Sequence, residues 1–154
     1  MSIPQPASNS KRIVTRRRFA VLLALLFLGS SSAFAADYQV VVHPTNANDS
    51  LTRVQVERMF LKRFVKWDGG AVVSPVDQPQ NSAARIAFTK DVHRKTVGAV
   101  VSYWQQQIFA GRGIPPAEMA NDAAVLAFVA ANPGAIGYIT GTATATGVKV
   151  VAIR

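Results

Sequence analysis

The sequence predicts an α/β domain in which a small mixed sheet is flanked by about four helices. Short β-branched apolar runs alternate along the chain with longer stretches whose apolar residues recur at helical spacing. Clusters of Gly, Pro and polar residues separate the two kinds of segment. The predicted order is strand, helix, strand, three helices, strand, strand, and such alternation is typical of an α/β sandwich.

The first 35 residues have the pattern of a signal peptide, which leaves the α/β domain at residues 36–154. Five basic residues precede an apolar run at 19–29, which is shorter than the ~20 residues of a typical membrane-spanning helix. Small residues then predict cleavage between Ala35 and Ala36. The mature protein is therefore expected to be periplasmic or secreted.

The export route stays open at this point. The adjacent arginines of TRRRF (15–19) fit a twin-arginine signal, but a basic segment of this kind also serves ordinary secretion. An uncleaved membrane anchor is the third interpretation.

Removal of this segment would change the charge of the protein. Of 17 basic residues, 5 lie before residue 36, whereas all 8 acidic residues follow it. The net charge of the mature chain is then +4 rather than +9. That value does not indicate a nucleic-acid partner, and it mildly favours an anionic ligand or surface.

The residue patterns that carry most enzymatic chemistry are absent from the sequence. There is no cysteine, which excludes disulfides, thiol chemistry and cysteine metal sites. His43 and His93 are isolated from any cluster of carboxylates, so no metal site is predicted. No nucleophile–base motif, phosphate-binding P-loop or dinucleotide fingerprint is present. The sequence therefore predicts neither an enzyme nor a cofactor.

The predicted elements begin with a buried strand at 38–43 (YQVVVH), which Pro44 ends. A helix follows, with Thr52 as its N-cap and Gln55 at the position that completes a capping box. The residues flanking this start, Leu51 and Val56, occupy the two positions of a hydrophobic staple.

This first helix is expected to continue to about Arg63, after which a turn and a short strand at 71–76 follow. A second helix is predicted from about Asn81 to Arg94. Its inward stripe at i, i+4 spacing consists of Ala84, Phe88 and Val92.

The remaining elements complete the predicted sandwich. A third helix is predicted over 96–109, and its inward residues are Val97, Val100, Val101, Trp104 and Ile108. A fourth helix is expected over 121–131, ended by Pro133 and Gly134. Two strands, 135–139 and 148–153, close the sequence of elements.

Four segments resemble the substrate-binding proteins of phosphate ABC transporters. They are 51–70, 75–88, 103–116 and 125–139, and the most specific motif among them is NPGAIGY at 132–138. The resemblance implies a periplasmic-binding-protein-like fold of type 2. Full-length members of that family have two lobes that close on an anion, and this chain has room for about one.

The resemblance also implies a ligand site at the start of the second helix. In the family a Ser-Gly-Thr sequence opens this helix, whose free N–H groups hold phosphate, and an Arg four residues before the Ser adds a contact. Here Ser82 is kept, Ala83 and Ala84 replace the Gly and Thr, and Gln78 replaces the Arg. Arg85 lies just inside the helix. Each lost hydrogen bond to a charged group forfeits ~1.5–3 kcal/mol, so the implied site is weakened.

Two functions are consistent with these residues. In the first, the protein binds phosphate or a related small oxyanion through Gln78 and 82–85 and serves an ABC-type uptake system. In the second, the same fold has lost its ligand, Ser82 or Asn81 merely caps the helix and Arg85 is solvated. The protein would then bind a membrane transporter, another envelope protein or a second copy of itself. Arg112, between two glycines, is a further candidate contact with a ligand or partner.

Overall fold

The computed structural model describes residues 37–154, together with the first two residues of the chain. The signal-peptide prediction for 1–35 therefore falls almost entirely outside the described residues. None of the helices described in the structure is long and apolar enough to cross a membrane.

The predicted α/β architecture is confirmed within residues 37–154. In chain order the elements are β1 (Tyr38–Val42), β2 (Ser50–Leu51), α1 (Arg53–Phe60), β3 (Ser74–Asp77), α2 (Ala83–Phe88), α3 (Val97–Phe109), β4 (Ala117–Glu118), α4 (Asp122–Ala131), β5 (Ala135–Thr140) and β6 (Lys149–Ile153). A π-helical turn, Thr89–His93, continues α2. The sequence did not predict β2 and β4, which have only two residues each.

The six strands form one mixed sheet in the order β2-β6-β1-β5-β3-β4. Strand β1 is antiparallel to both of its neighbours, β5 and β6. Strand β3 is parallel to β5 on one side and to β4 on the other. The first strand of the domain therefore lies inside the sheet, between strands from the far end of the chain.

Apolar layers cover both faces of this sheet. Val40 and Val42 of β1 pack with α1 and α2, whereas Val41 between them packs with α4 on the opposite face. All three valines are at most 1% exposed. Burial on both faces explains why β1 reads as a continuous apolar run rather than an alternating one.

The predicted start of α1 is confirmed in detail. The Thr52 hydroxyl accepts a hydrogen bond from the Gln55 N–H at 3.2 Å, and the Gln55 side chain accepts one from the Thr52 N–H at 2.8 Å. Leu51 and Val56 are both buried, as a hydrophobic staple requires. The helix ends at Phe60, earlier than expected.

A left-handed residue terminates α1. Lys62 has φ 53°, and the N–H groups of Arg63 and Phe64 both donate to the carbonyl of Arg58. Such a conformation is a common helix ending, although glycine usually provides it. The sequence did not predict this ending, because apolar and basic residues continue to position 63.

One predicted core position of α3 is wrong. Val100 and Trp104 are buried and Val97 and Val101 are half-buried, but Ile108 is 51% exposed. Helix α3 contacts the π-helical turn, and both residues of its exposed end, Ile108 and Phe109, lie outside the core. Ile108 therefore borders a surface cavity instead of the sheet.

Close packing explains the two glycines of the NPGAIGY motif. A Cβ atom at Gly137 would lie 2.7 Å from Cγ1 of Val125 and 3.0 Å from Cγ2 of Val76. A Cβ atom at Gly134 would overlap the carbonyl oxygen of Val72. In this chain the glycines of the motif thus allow β5 to approach α4 and the segment before β3.

We expect Gly137→Ala to lower the free energy of unfolding by about 1–3 kcal/mol, because the added methyl group overpacks the contact between β5 and α4. Urea unfolding measures this change. Gly69→Ala is the control, since a Cβ atom there meets nothing within 4 Å. Equal stability of the two variants would contradict the packing explanation.

Candidate functional site

The hydroxyl of Ser82 is fully engaged at the start of α2. It accepts a hydrogen bond from the N–H of Arg85 at 3.1 Å and donates one to Oε1 of Gln78 at 2.8 Å. The first of these bonds is an N-cap, so the capping role that the sequence allowed is confirmed. Donation to a bound anion would require the bond to Gln78 to break.

The guanidinium of Arg85 is buried rather than solvated. Its side chain is only 7% exposed, and Nη2 lies 3.0 Å from Oδ2 of Asp77. Nη1 lies 3.5 Å from Oε2 of Glu118 and donates to the carbonyl of Gln78. The positive charge of Arg85 is therefore already paired inside the protein.

Gln78, which occupies the position of the family arginine, is also buried and fully bonded. Its Nε2 donates to Oδ1 of Asp122 at 2.7 Å and to the carbonyl of Tyr138 at 2.9 Å. Its Oε1 accepts the Ser82 hydroxyl. The amide thus joins the starts of α2 and α4 to strand β5.

The phenol of Tyr138 belongs to the same polar network as Asp77, Gln78, Ser82 and Arg85. Tyr138 belongs to the NPGAIGY motif, donates a hydrogen bond to Oδ1 of Asp77, and stacks on the ring of Phe88 at 4.1 Å. Burial and the neighbouring carboxylate raise the pKa of the Tyr138 phenol. Burial also raises the pKa of the Asp77 carboxyl, an effect that Arg85 partly opposes.

The two alanines that replace the family Gly and Thr have different surroundings. The methyl group of Ala84 is buried in the core, whereas Ala83 is exposed. Neither methyl group can hydrogen-bond to a ligand. What these positions can offer an anion is the pair of backbone N–H groups that any helix leaves free in its first turn.

Three acidic residues of this network were missed by sequence reasoning. Asp77 ends β3, Glu118 ends β4, and Asp122 opens α4. Strands β3 and β4 are parallel and place Asp77 directly beside Glu118, so both carboxylates reach Arg85. The signal for Asp77 was its place inside the segment that resembles the family, just before the helix.

A cavity of about 220 Å³ opens next to the ion pair. Its charged lining consists of Asp77, Glu118 and Arg85, and its apolar lining includes Trp104 and Ile108. Two carboxylates facing one guanidinium give this wall a formal charge of −1 when all three are ionised. The cavity is therefore electrostatically unfavourable for phosphate.

Two other sequence candidates lie apart from this network. Arg112 is exposed in the loop after α3, between Gly111 and Gly113. His93 is buried at the end of the π-helical turn, against the ring of Phe88. Among the described residues, no group of three or more His, Cys, Asp or Glu side chains is arranged to hold a metal ion.

The structure predicts that removal of one member of the buried ion pair will destabilise the fold. Arg85→Met leaves the Asp77 carboxylate buried without its partner, so we expect a loss of about 3–5 kcal/mol in urea unfolding. Asp77→Leu combined with Arg85→Met should recover part of this loss, because no charge is then stranded. Arg58→Met, at an exposed position, is the control. A loss in Arg85→Met no larger than in the control would count against the pair.

His93 should make stability depend on pH. Burial, with smaller effects from Lys95 and Arg85, lowers the pKa of His93 to about 4. Between about pH 6.5 and pH 4 the unfolded chain binds a proton that the folded protein rejects, so stability falls as the pH falls. From about pH 7.5 to pH 5 we expect this residue to contribute a loss of about 2 kcal/mol.

Unfolding of His93→Leu at the same two pH values isolates this effect from that of the carboxylates. The loss should be smaller in His93→Leu than in the unmodified protein by that amount. An identical pH dependence in His93→Leu and the unmodified protein would refute the assignment.

Several solved protein structures are similar in fold to this chain. No family model and no curated protein matches the chain. An ABC-type phosphate transport receptor from Vibrio cholerae superposes with a TM-score of 0.61 at 17% identity. A protein from Clostridium perfringens, described as a phosphate ABC transporter substrate-binding protein and solved with bound phosphate, gives 0.60 at 22%. PstS from Borrelia burgdorferi gives 0.52 at 10%.

These superpositions cover 76–77% of this chain but only 44–47% of the three solved proteins. The chain thus spans less than half the length of each relative. At these identities the comparison establishes the fold and not the ligand. The chain has a mixed α/β fold that matches part of these periplasmic-binding-protein-like structures, as its sequence predicted.

Proposed function

We propose that this protein is an exported, ligand-free module of the solute-binding-protein fold that acts by binding a protein partner. One observation carries the proposal. The Arg85 guanidinium, which stands at the helix start where the family resemblance implies an oxyanion, is bound by the carboxylates of Asp77 and Glu118. The protein fills this position with its own acidic groups.

Electrostatics opposes a phosphate at this position. An anion at the start of α2 would approach two carboxylates in a partly buried setting, where charges interact more strongly than in water. It would also compete with Gln78 for the hydroxyl of Ser82. The N–H groups of Ala83 and Ala84 alone would have to offset both effects.

The candidate partners are a membrane transporter, another envelope protein or a second copy of the chain. The signal-like segment at 1–35 would deliver it to the periplasm or beyond, through either export route.

A second candidate function is weak binding of phosphate or a related oxyanion for an uptake system. The relative from Clostridium perfringens that was solved with bound phosphate favours it. The groups available for this function are the Ser82 hydroxyl and the N–H groups of Ala83 and Ala84, with Gln78 and Arg85 next to them. Such binding would require the internal hydrogen bonds of Ser82 and Arg85 to rearrange.

Calorimetric titration with phosphate, with sulfate as a second anion, separates the two candidates. We expect no saturable heat up to roughly millimolar phosphate, because the internal ion pair neutralises Arg85. Asp77→Asn combined with Glu118→Gln frees that charge, and phosphate affinity should then rise by roughly tenfold or more.

Saturable micromolar heat in the unmodified protein would overturn the proposal if Ser82→Ala abolished it. Thr52→Ala is the matched control for this variant, because it removes an equivalent N-cap from α1 without touching the α2 start. A failure of the Asp77/Glu118 double variant to gain affinity, while it remains folded, would show that the carboxylates are not what excludes the anion.

A further inference from the structure

A larger cavity lies beside α2, at Ile86 rather than at Arg85. It has a volume of about 750 Å³ and runs between the outer face of α2, the π-helical turn and the start of α3. We call it the cationic groove, and its principal lining residues are Ile86, Lys90, Arg94, Lys95 and Val97. Its volume lies within the range of small-molecule sites, roughly 300–1,000 Å³.

The lining of the groove is positively charged. Its lining contains three cations, Lys90, Arg94 and Lys95, and no acidic residue. None of the three forms a salt bridge among the described residues. Asp91, on the same turn, forms its ion pair with Arg53 at 3.1 Å, and the charge of Arg94 also acts on its carboxylate. The groove therefore keeps a positive potential that attracts anions.

The lining between the cations is apolar. Ile86 is 51% exposed and Val97 is half-buried, and the aliphatic stems of the lysines add further apolar surface. An inorganic anion would neutralise the cations but leave Ile86 and Val97 in water. A molecule that carries both a negative head and an apolar body would satisfy both parts of the lining.

The backbone at the groove is unusual at the residue that carries one of the cations. The chain leaves the π-helical turn through Arg94, whose φ is 53°. Glycine would adopt this conformation without strain, yet an arginine stands here. The same left-handed ending occurs at Lys62 after α1, so the feature particular to the groove is the single π-helical turn, a feature frequent at functional sites.

We propose that the cationic groove binds an amphipathic organic anion, with its carboxylate paired to Lys90, Arg94 and Lys95 and its aliphatic body along Ile86 and Val97. The occupant is a free, single-chain carboxylate in solution. This inference goes beyond the proposed partner-binding function and uses a different surface from the Asp77–Arg85 network.

The test is calorimetric titration of the protein with dodecanoate below its micelle concentration. Dodecyltrimethylammonium, which has the same chain and the opposite charge, is the ligand control. We expect saturable binding of one dodecanoate per chain and no saturable binding of the ammonium compound, because the groove lacks an acidic residue.

Two glycine variants separate binding from backbone strain. Arg94→Gly removes the backbone strain of a non-glycine residue at positive φ, so we expect an unchanged or higher Tm. It also removes a groove cation, so we expect a roughly tenfold or greater loss of dodecanoate affinity. Lys62→Gly is the matched control, since Lys62 has the same φ of 53° but does not line the groove. It should keep full dodecanoate affinity.

Three results would each overturn the proposal: equal binding of the two amphiphiles, equal loss of affinity in the two variants, or no saturable heat with dodecanoate. The phosphate titration keeps this proposal distinct from the proposed function. Phosphate binding that is abolished by Ser82→Ala but unaffected by Arg94→Gly would overturn the proposed function alone.

Discussion

The buried pairing of Asp77 with Arg85 organises the edge of the sheet at which a ligand site would be expected. Asp77 ends β3, Arg85 belongs to the first turn of α2, and Tyr138 reaches Asp77 from β5. A buried charge requires its partner, so neither side chain can turn outward without stranding the other. The orientations of Gln78 and Ser82 follow from this pair. The backbone carbonyl of Gln78 accepts a hydrogen bond from the Arg85 guanidinium, and its side-chain Oε1 accepts one from the Ser82 hydroxyl.

The polar side chains at the start of α2 are bonded to one another within the protein. The features that carry the resemblance, NPGAIGY and the serine at the helix start, have structural roles in this chain: close packing of β5, anchoring of Asp77 and capping of α2. A chain can retain such features for stability after the ligand is lost. A cluster of cations without salt bridges among the described residues lies instead in the cationic groove, which includes Ile86 of α2.

Local features were predictable from the sequence, and long-range ones were not. The Thr52–Gln55 capping box and the helix start at Ser82 depend on residues within a few positions of each other. Asp77 is held against Arg85 by the end of β3, and Glu118 depends on β4, a two-residue strand with no sequence signature that brings in a carboxylate 33 positions away. For the same reason, sequence alone could assign Arg85 to solvent or to an anion but not to an internal pair.

The position of β1 has a consequence for how the chain folds. Its residues pair with β5 and β6, so that Tyr38 faces Thr140 and Val42 faces Lys149 across about a hundred residues of sequence. Contacts of such long range slow folding, because a large loop must close before they form. The centre of the sheet therefore assembles only after β5 and β6 have left the ribosome. A chain crossing a membrane in an extended form would still lack the strands that β1 needs, and it would remain unfolded until its last strands arrived.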